Sequence, residues 1–104
     1  MNYYIGIDGG GTKTQYALFD ERKTMISTVK TPGSNHENLE GGIPEAAGII
    51  MGGIEKLLLD NAMRKENITH ILMALAGIDH RYQCDEMTAE LKKLGLNVPF
   101  AIYN

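Results

Sequence analysis

The sequence predicts an α/β domain built on one mixed sheet, in the order β-β-β-α-β-α-β. Three observations carry this. Short aromatic and β-branched runs separated by tight turns fill the first third of the chain. Two later segments repeat apolar residues at steps of three and four, and each leads into another apolar strand-like run. Links of only a few residues make the first three strands an antiparallel meander. Strands reached through helices run parallel to their neighbours, so the first strand is expected at the centre.

Tyr3-Tyr4-Ile5-Gly6-Ile7 forms the first strand and stops at Asp8, where three glycines enforce a turn. Gln15 to Asp20 reads as strand because it has neither an N-cap nor a helical stripe. Asp20 to Lys23 is a polar turn, and Met25 to Val29 is a third strand ending near Pro32-Gly33. Thr31 to Gly42 is polar, Gly-rich and long enough to be a functional loop. From Gly41 a helix of about twenty residues is expected, with Pro44 as a first helical residue and Ile50, Ile54, Leu57, Leu58 and Ala62 on its apolar stripe. Gly48, Gly52 and Gly53 inside it each cost about 1 kcal/mol of helix propensity, which predicts a close backbone approach. Ile71 to Ala76 is apolar without alternation, as in a mid-sheet strand covered on both faces. Cys84, Met87, Leu91 and Leu94 mark the second helix, with Lys92 and Lys93 late and Gly95 at the C′ position. Val98 to Tyr103 is the last strand. Cys84 on the stripe, His70 at a strand boundary and the six methionines read as packing rather than chemistry.

At 104 residues the chain is long enough for one core and one domain, 1–104. Hydrophobic residues at 43% and charged residues at 22% are globular values. Ten basic against thirteen acidic residues leave a net charge of −3, too weak a field to favour nucleic acid. The longest uncharged apolar run, Ala46–Ile54, falls far short of the roughly 20 residues that span a bilayer, so no membrane segment is expected, and Gly48-x-x-x-Gly52 within it reads as helix-on-sheet packing. A lone cysteine and the lack of a secretory signal suit a cytoplasmic protein.

Asp8-Gly9-Gly10-Gly11-Thr12-Lys13-Thr14 has the chemistry of a phosphate cradle. Residues without Cβ let N–H groups meet an anion, and a hydroxyl and an ammonium flank them. Thr12 separates Gly11 from Lys13 and a strand follows, which excludes a Walker A loop; a dinucleotide fingerprint fails for want of a third spaced glycine and a helix. A hairpin that merely reverses the chain is the plain alternative. For Asn35 and His36 that alternative is a solvated loop, and for Ala76-Gly77-Ile78-Asp79-His80 it is an Asp or His cap on the next helix.

The glycine turn resembles the first phosphate motif of the actin, heat-shock ATPase and sugar-kinase superfamily. Within it the turn is most similar to the N-acetylglucosamine kinase and BadF/BadG/BcrA/BcrD ATPase family. Gly33-Ser34-Asn35-His36-Glu37-Asn38-Leu39, Leu75-Ala76-Gly77-Ile78-Asp79 and the element order agree, so the resemblance covers essentially the whole chain. It implies a ribonuclease H-like, actin-like ATPase lobe and transfer of the ATP γ-phosphoryl group to an amino sugar such as N-acetylglucosamine. Asp8 would hold Mg²⁺ through water. Gly9, Gly10, Gly11 and Thr12 would touch the phosphates, Lys13 would add positive charge, and Asn35 with His36 and Gly77 would face the sugar. The family's general base is expected just after Asn104, and its C-terminal lobe lies outside these residues. An isolated lobe should therefore be inactive and bind ATP at best at millimolar level, with self-association, as in a homodimer, through sheet exposed beside Ile71–Ala76. Two other classes remain: an ATPase activator of a 2-hydroxyacyl-CoA dehydratase or benzoyl-CoA reductase system, which would need cluster cysteines beyond Cys84, and an orphan non-catalytic lobe.

Overall fold

The computed structural model describes residues 1–104. Five strands, β1 (Tyr3–Gly9), β2 (Lys13–Phe19), β3 (Met25–Pro32), β4 (Ile68–Leu75) and β5 (Phe100–Tyr103), form one sheet in the order β3-β2-β1-β4-β5. The meander pairs are antiparallel, β4 is parallel to β1, and β5 is parallel to β4. Helices α1 (Gly42–Asp60) and α2 (Arg81–Lys93) make the two crossovers. The expected architecture and the central place of β1 are both present.

Period-two burial makes one face of the sheet the core. Ile5 and Ile7 of β1, Thr14, Tyr16 and Leu18 of β2, and Ile71, Met73 and Leu75 of β4 are all buried, and the helices cover them with Ile50, Ile54, Leu57, Met87 and Leu91. The reading of Ile71–Ala76 as covered on both faces is corrected here, since β4 alternates and Leu72 is 51% exposed. An apolar run had looked uniform because Leu72 and Ala74 belong to the second face, which no element of the chain covers. That face is an open row of Tyr4, Gly6, Ala17, Phe19, Leu72 and Ala74, with a shallow depression of about 450 Å³ along part of it.

The helices carry further corrections. Pro44 is the third residue of α1 rather than the first, and Ala62 lies beyond its end. The reason is a Schellman ending: the Ala62 N–H donates to Leu59 O (3.1 Å) and the Met63 N–H to Leu58 O (2.9 Å), with Ala62 at φ 53°. The same ending closes α2 with Gly95 at C′, as expected, but its apolar partner is the buried Leu96, and Leu94 is 47% exposed. Of the three glycines expected inside α1 only Gly53 explains itself by a close approach, to the Tyr16 ring; Gly48 and Gly52 are exposed, with open space where a Cβ would go. Cys84 is half-buried rather than fully in the core, His70 lies inside β4, and only Met51, Met73 and Met87 among the methionines are buried. No helix is long and apolar enough to cross a membrane.

Candidate functional site

Every residue singled out from the sequence lies at the carboxyl end of β1 and β4 or on the loop beside it. Gly9 is registered with Leu75, and the Ala76 N–H donates to Gly9 O at 2.8 Å, so the glycine turn and the turn after β4 share one sheet end. Ligands of open α/β sheets gather outside such ends near a reversal of strand order, and β1 is where this sheet changes from antiparallel to parallel.

The hairpin is held open by its surroundings. The Gly10 N–H closes it on Lys13 O (2.9 Å), and the Ser34 N–H reaches Gly10 O (3.0 Å). A Cβ on Gly33 would run into the Gly10 and Gly11 carbonyl groups, so only glycine lets the loop lie this close. Beneath, the buried Thr14 hydroxyl is hydrogen-bonded to Pro32 O (3.0 Å) and Ser34 Oγ (2.9 Å). This inward Thr14–Ser34 pair went unread in the sequence, although Thr14 stands two and four residues before Tyr16 and Leu18 on the same inward register. The Gly11 and Thr12 backbone N–H groups donate to no acceptor of the chain, and the Thr12 hydroxyl and Lys13 ammonium are likewise without a partner. Two adjacent N–H groups left free at an exposed tip are donors for an anion.

Residues 35–42 fold back over this end. Asn35 Oδ1 accepts the Glu37 N–H (3.0 Å) and so caps the 3-10 turn His36–Asn38. His36 Nε2 lies 2.7 Å from Gly77 O; a carbonyl can only accept, so Nε2 carries the proton. Gly77 has φ +88°, and a Cβ there would strike Asn35 Oδ1. Asn35, His36 and Gly77 are therefore brought together, with the orientation of the Asn35 amide set by the cap: Oδ1 accepts from Glu37 and Nδ2 has no partner in the chain. Of the capping alternatives weighed for Asp79 and His80, the one at His80 is present: His80 is the N-cap residue of α2, in a capping box completed by Gln83, whose Oε1 accepts the Asp79 and His80 N–H groups (2.8 and 2.9 Å). Asp79 Oδ1 instead accepts from Asn104 Nδ2 at 3.0 Å.

Asp8 is exposed and alternates with the buried Ile7 and Gly9, so it is carried on the open face of the sheet, beside Gln15 and Ala74. It shares the sheet end with Asn35 and Gly77 and faces away from the helix layer. No three His, Cys, Asp or Glu side chains gather anywhere to enclose a metal. A single exposed carboxylate beside free N–H donors fits a Mg²⁺ that keeps its waters and arrives on phosphate oxygens.

No family model matches the chain. It is 25% identical over 109 residues to the N-acetyl-D-glucosamine kinase of Dictyostelium discoideum, covering 97% of this chain and 34% of that protein. It is 26% identical over 83 residues to the glucosamine kinase GspK of Vibrio cholerae, covering 78% of this chain and 27% of the other. A solved structure from Chromobacterium violaceum, provisionally designated an N-acetylglucosamine kinase, superposes with a TM-score of 0.74 at 19% identity over 98% of this chain and 34% of its own. The chain has the actin-like ATPase and sugar-kinase fold. Component A of the (R)-2-hydroxyglutaryl-CoA dehydratase of Acidaminococcus fermentans shares it at a TM-score of 0.57, with 16% identity over 98% of this chain and 31% of its own. The sequence thus resembles amino-sugar kinases along nearly its whole length, and it spans about a third of the length of the curated relatives it matches.

Proposed function

We propose that these residues form the N-terminal lobe of an ATP-dependent amino-sugar kinase, the acceptor being N-acetylglucosamine or a close analogue. The observation that carries the reading is the pair of free N–H groups at Gly11 and Thr12 beside a loop on which Asn35, seated against Gly77, has an Nδ2 without a partner in the chain. The likeness to two sugar kinases of different organisms supports the reaction class.

In this reading the Gly9-Gly10-Gly11-Thr12 backbone orients the terminal phosphates, and Lys13 adds charge at the exposed side. Asp8 would hold Mg²⁺ through water; when bound, that ion neutralises charge on the phosphate oxygens. Asn35 donates to a sugar oxygen, and the His36 bond to Gly77 fixes the loop that carries it. A buried or half-buried amide of fixed polarity rejects analogues that lack the matching oxygen. Phosphoryl transfer relies on positioning and on exclusion of water between two walls, so catalysis belongs to the longer protein of which this lobe supplies one wall.

Nuclear magnetic resonance titration of the 104-residue chain tests this. Mg-ATP is expected to shift the Gly9 to Lys13 amides with a dissociation constant near or above about 1 mM, since a few hydrogen bonds to a hydrated triphosphate net only a few kcal/mol. N-acetylglucosamine is expected to shift Asn35, His36 and Gly77. Shifts confined to other surfaces would remove the assignment.

A further inference from the structure

The 3-10 turn His36–Asn38 carries an amide at each end, and the two look toward different parts of the site. Asn35 stands against Gly77. Three residues on, Asn38 Nδ2 lies 3.3 Å from where a Cβ on Gly11 would sit, at the tip of the glycine hairpin. The turn does not need that amide. Asn35 Oδ1 caps its start, the Leu39 N–H closes its end on His36 O (3.2 Å), and the Asn38 main chain is itself pinned through its N–H to Asn35 O (3.0 Å). The Asn38 side chain forms no hydrogen bond within the chain and is exposed. A pinned backbone thus presents a free amide beside the two free N–H groups of Gly11 and Thr12.

We propose that Asn38 is a further phosphate-contacting residue of this site, with Nδ2 donating to an oxygen of the terminal phosphoryl group held on the Gly11 and Thr12 N–H groups. The proposal rests on the phosphate reading of the hairpin. Its chemical logic is that a neutral amide adds a directed donor to an anionic oxygen without adding a charge that water and salt would screen. Its structural logic is spacing. A 3-10 turn rises about 2 Å per residue, so Asn35 at its cap and Asn38 at its last residue stand roughly 6 Å apart along one short turn. Such a turn would set the phosphoryl group and the acceptor sugar at a fixed separation, which is the positioning that phosphoryl transfer depends on.

The test is a titration of the labelled 104-residue chain with inorganic tripolyphosphate, following the Gly11 and Thr12 backbone amides and the Asn38 side-chain NH₂ pair, which is assigned by its loss in Asn38→Ala. All three signals are expected to move together. Asn38→Ala should weaken binding about five-fold, and Asn38→Asp, which replaces the donor by a repelling carboxylate, by more than about ten-fold. Both variants should keep the wild-type melting temperature within about 2 °C, because the side chain is exposed and unbonded. If Gly11 and Thr12 respond while both variants bind as tightly as wild type, the Asn38 assignment is wrong and the hairpin reading stands. If tripolyphosphate moves none of the three signals, both are wrong.

Discussion

Beyond its first residue, Gly42, helix α1 contains three interior glycines that differ in what lies beside them, and alanine substitution should separate them by sign. At Gly48 and Gly52 an added Cβ meets open space. Each change then collects the helix propensity difference, about 0.8–1 kcal/mol, and should raise the melting temperature by roughly 4–8 °C for a domain of this size. At Gly53 the Cβ would fall within the Tyr16 ring, against Cζ, Cε1 and Cε2. Tyr16 cannot step aside cheaply. It is fully buried, and its hydroxyl is tied to Thr31 Oγ1 (2.8 Å) and Ile49 O (3.1 Å). Overpacking costs about 1–3 kcal/mol and the two hydrogen bonds about 1 kcal/mol each if the ring moves, against the same gain of about 1 kcal/mol in propensity. The net is a loss of about 2–4 kcal/mol if the ring moves, a large part of the roughly 5–15 kcal/mol that stabilises a chain of 104 residues. Thermal and urea unfolding followed by circular dichroism measure all three variants side by side. A Gly53→Ala protein as stable as wild type would show that α1 does not rest on the Tyr16 ring, and the packing argument would fail.

Ala62→Gly should stabilise the fold by about 1 kcal/mol in the same unfolding assay, because Ala62 occupies the left-handed C′ position of α1 at φ 53° while α2 has Gly95 there. Burial raises the Tyr16 hydroxyl above its ordinary value near 10, outweighing the hydrogen bond to Thr31 that lowers it. A raised value means the folded state holds its proton longer than the unfolded chain does. The contribution is therefore intact below pH 10 and lost as pH climbs from there, so wild type should lose more stability than Tyr16→Phe between pH 9.5 and 11.5. Asn35→Asp keeps the oxygen that caps the 3-10 turn and removes the unpartnered donor. It should hold the melting temperature while abolishing the shifts caused by N-acetylglucosamine, and retained sugar response would exclude Nδ2 as the donor. If the proposed kinase reading holds for a protein that joins this lobe to a second one, Asp8→Asn there should cut turnover by orders of magnitude with little change in sugar affinity, as read from kcat and KM for the two substrates.

The sheet was legible because turns and periodicity act locally. Asp20 shows how directly: its Oδ1 accepts the Arg22 and Thr24 N–H groups (2.9 and 3.0 Å), so a polar four-residue turn is written into a single side chain. Gly95 was readable for the same reason, as a helix ending specified by one residue. Facing was less legible. Ile71-Leu72-Met73-Ala74-Leu75-Ala76 is apolar at every position, and composition cannot report that Leu72 and Ala74 look onto a face without a second layer. Likewise three glycines in one helix have the same local cost, and only the tertiary neighbour Tyr16 distinguishes Gly53 from the other two.

The site divides along the same line. The glycine turn and the Asn35–His36 segment stand out in sequence as unusual residues in an unusual place, but what their atoms are free to do depends on partners near and far, Glu37 two residues on and Gly77 41 residues away. Asn35 has an unpartnered donor because Oδ1, not Nδ2, is the atom that caps the 3-10 turn through Glu37, and the loop is seated where it is because His36 reaches the carbonyl of Gly77, a residue whose φ of +88° no side chain tolerates well. Gly33 in turn lets that loop lie on the Gly10 and Gly11 carbonyl groups, and Ser34 fastens it through Thr14. The hairpin, the 3-10 turn and the β4–α2 turn are therefore held together as one unit, so a substitution at Gly33 or Gly77 should disturb the proposed phosphate and sugar contacts together, whereas Asn35→Asp and Asn38→Ala should disturb them one at a time.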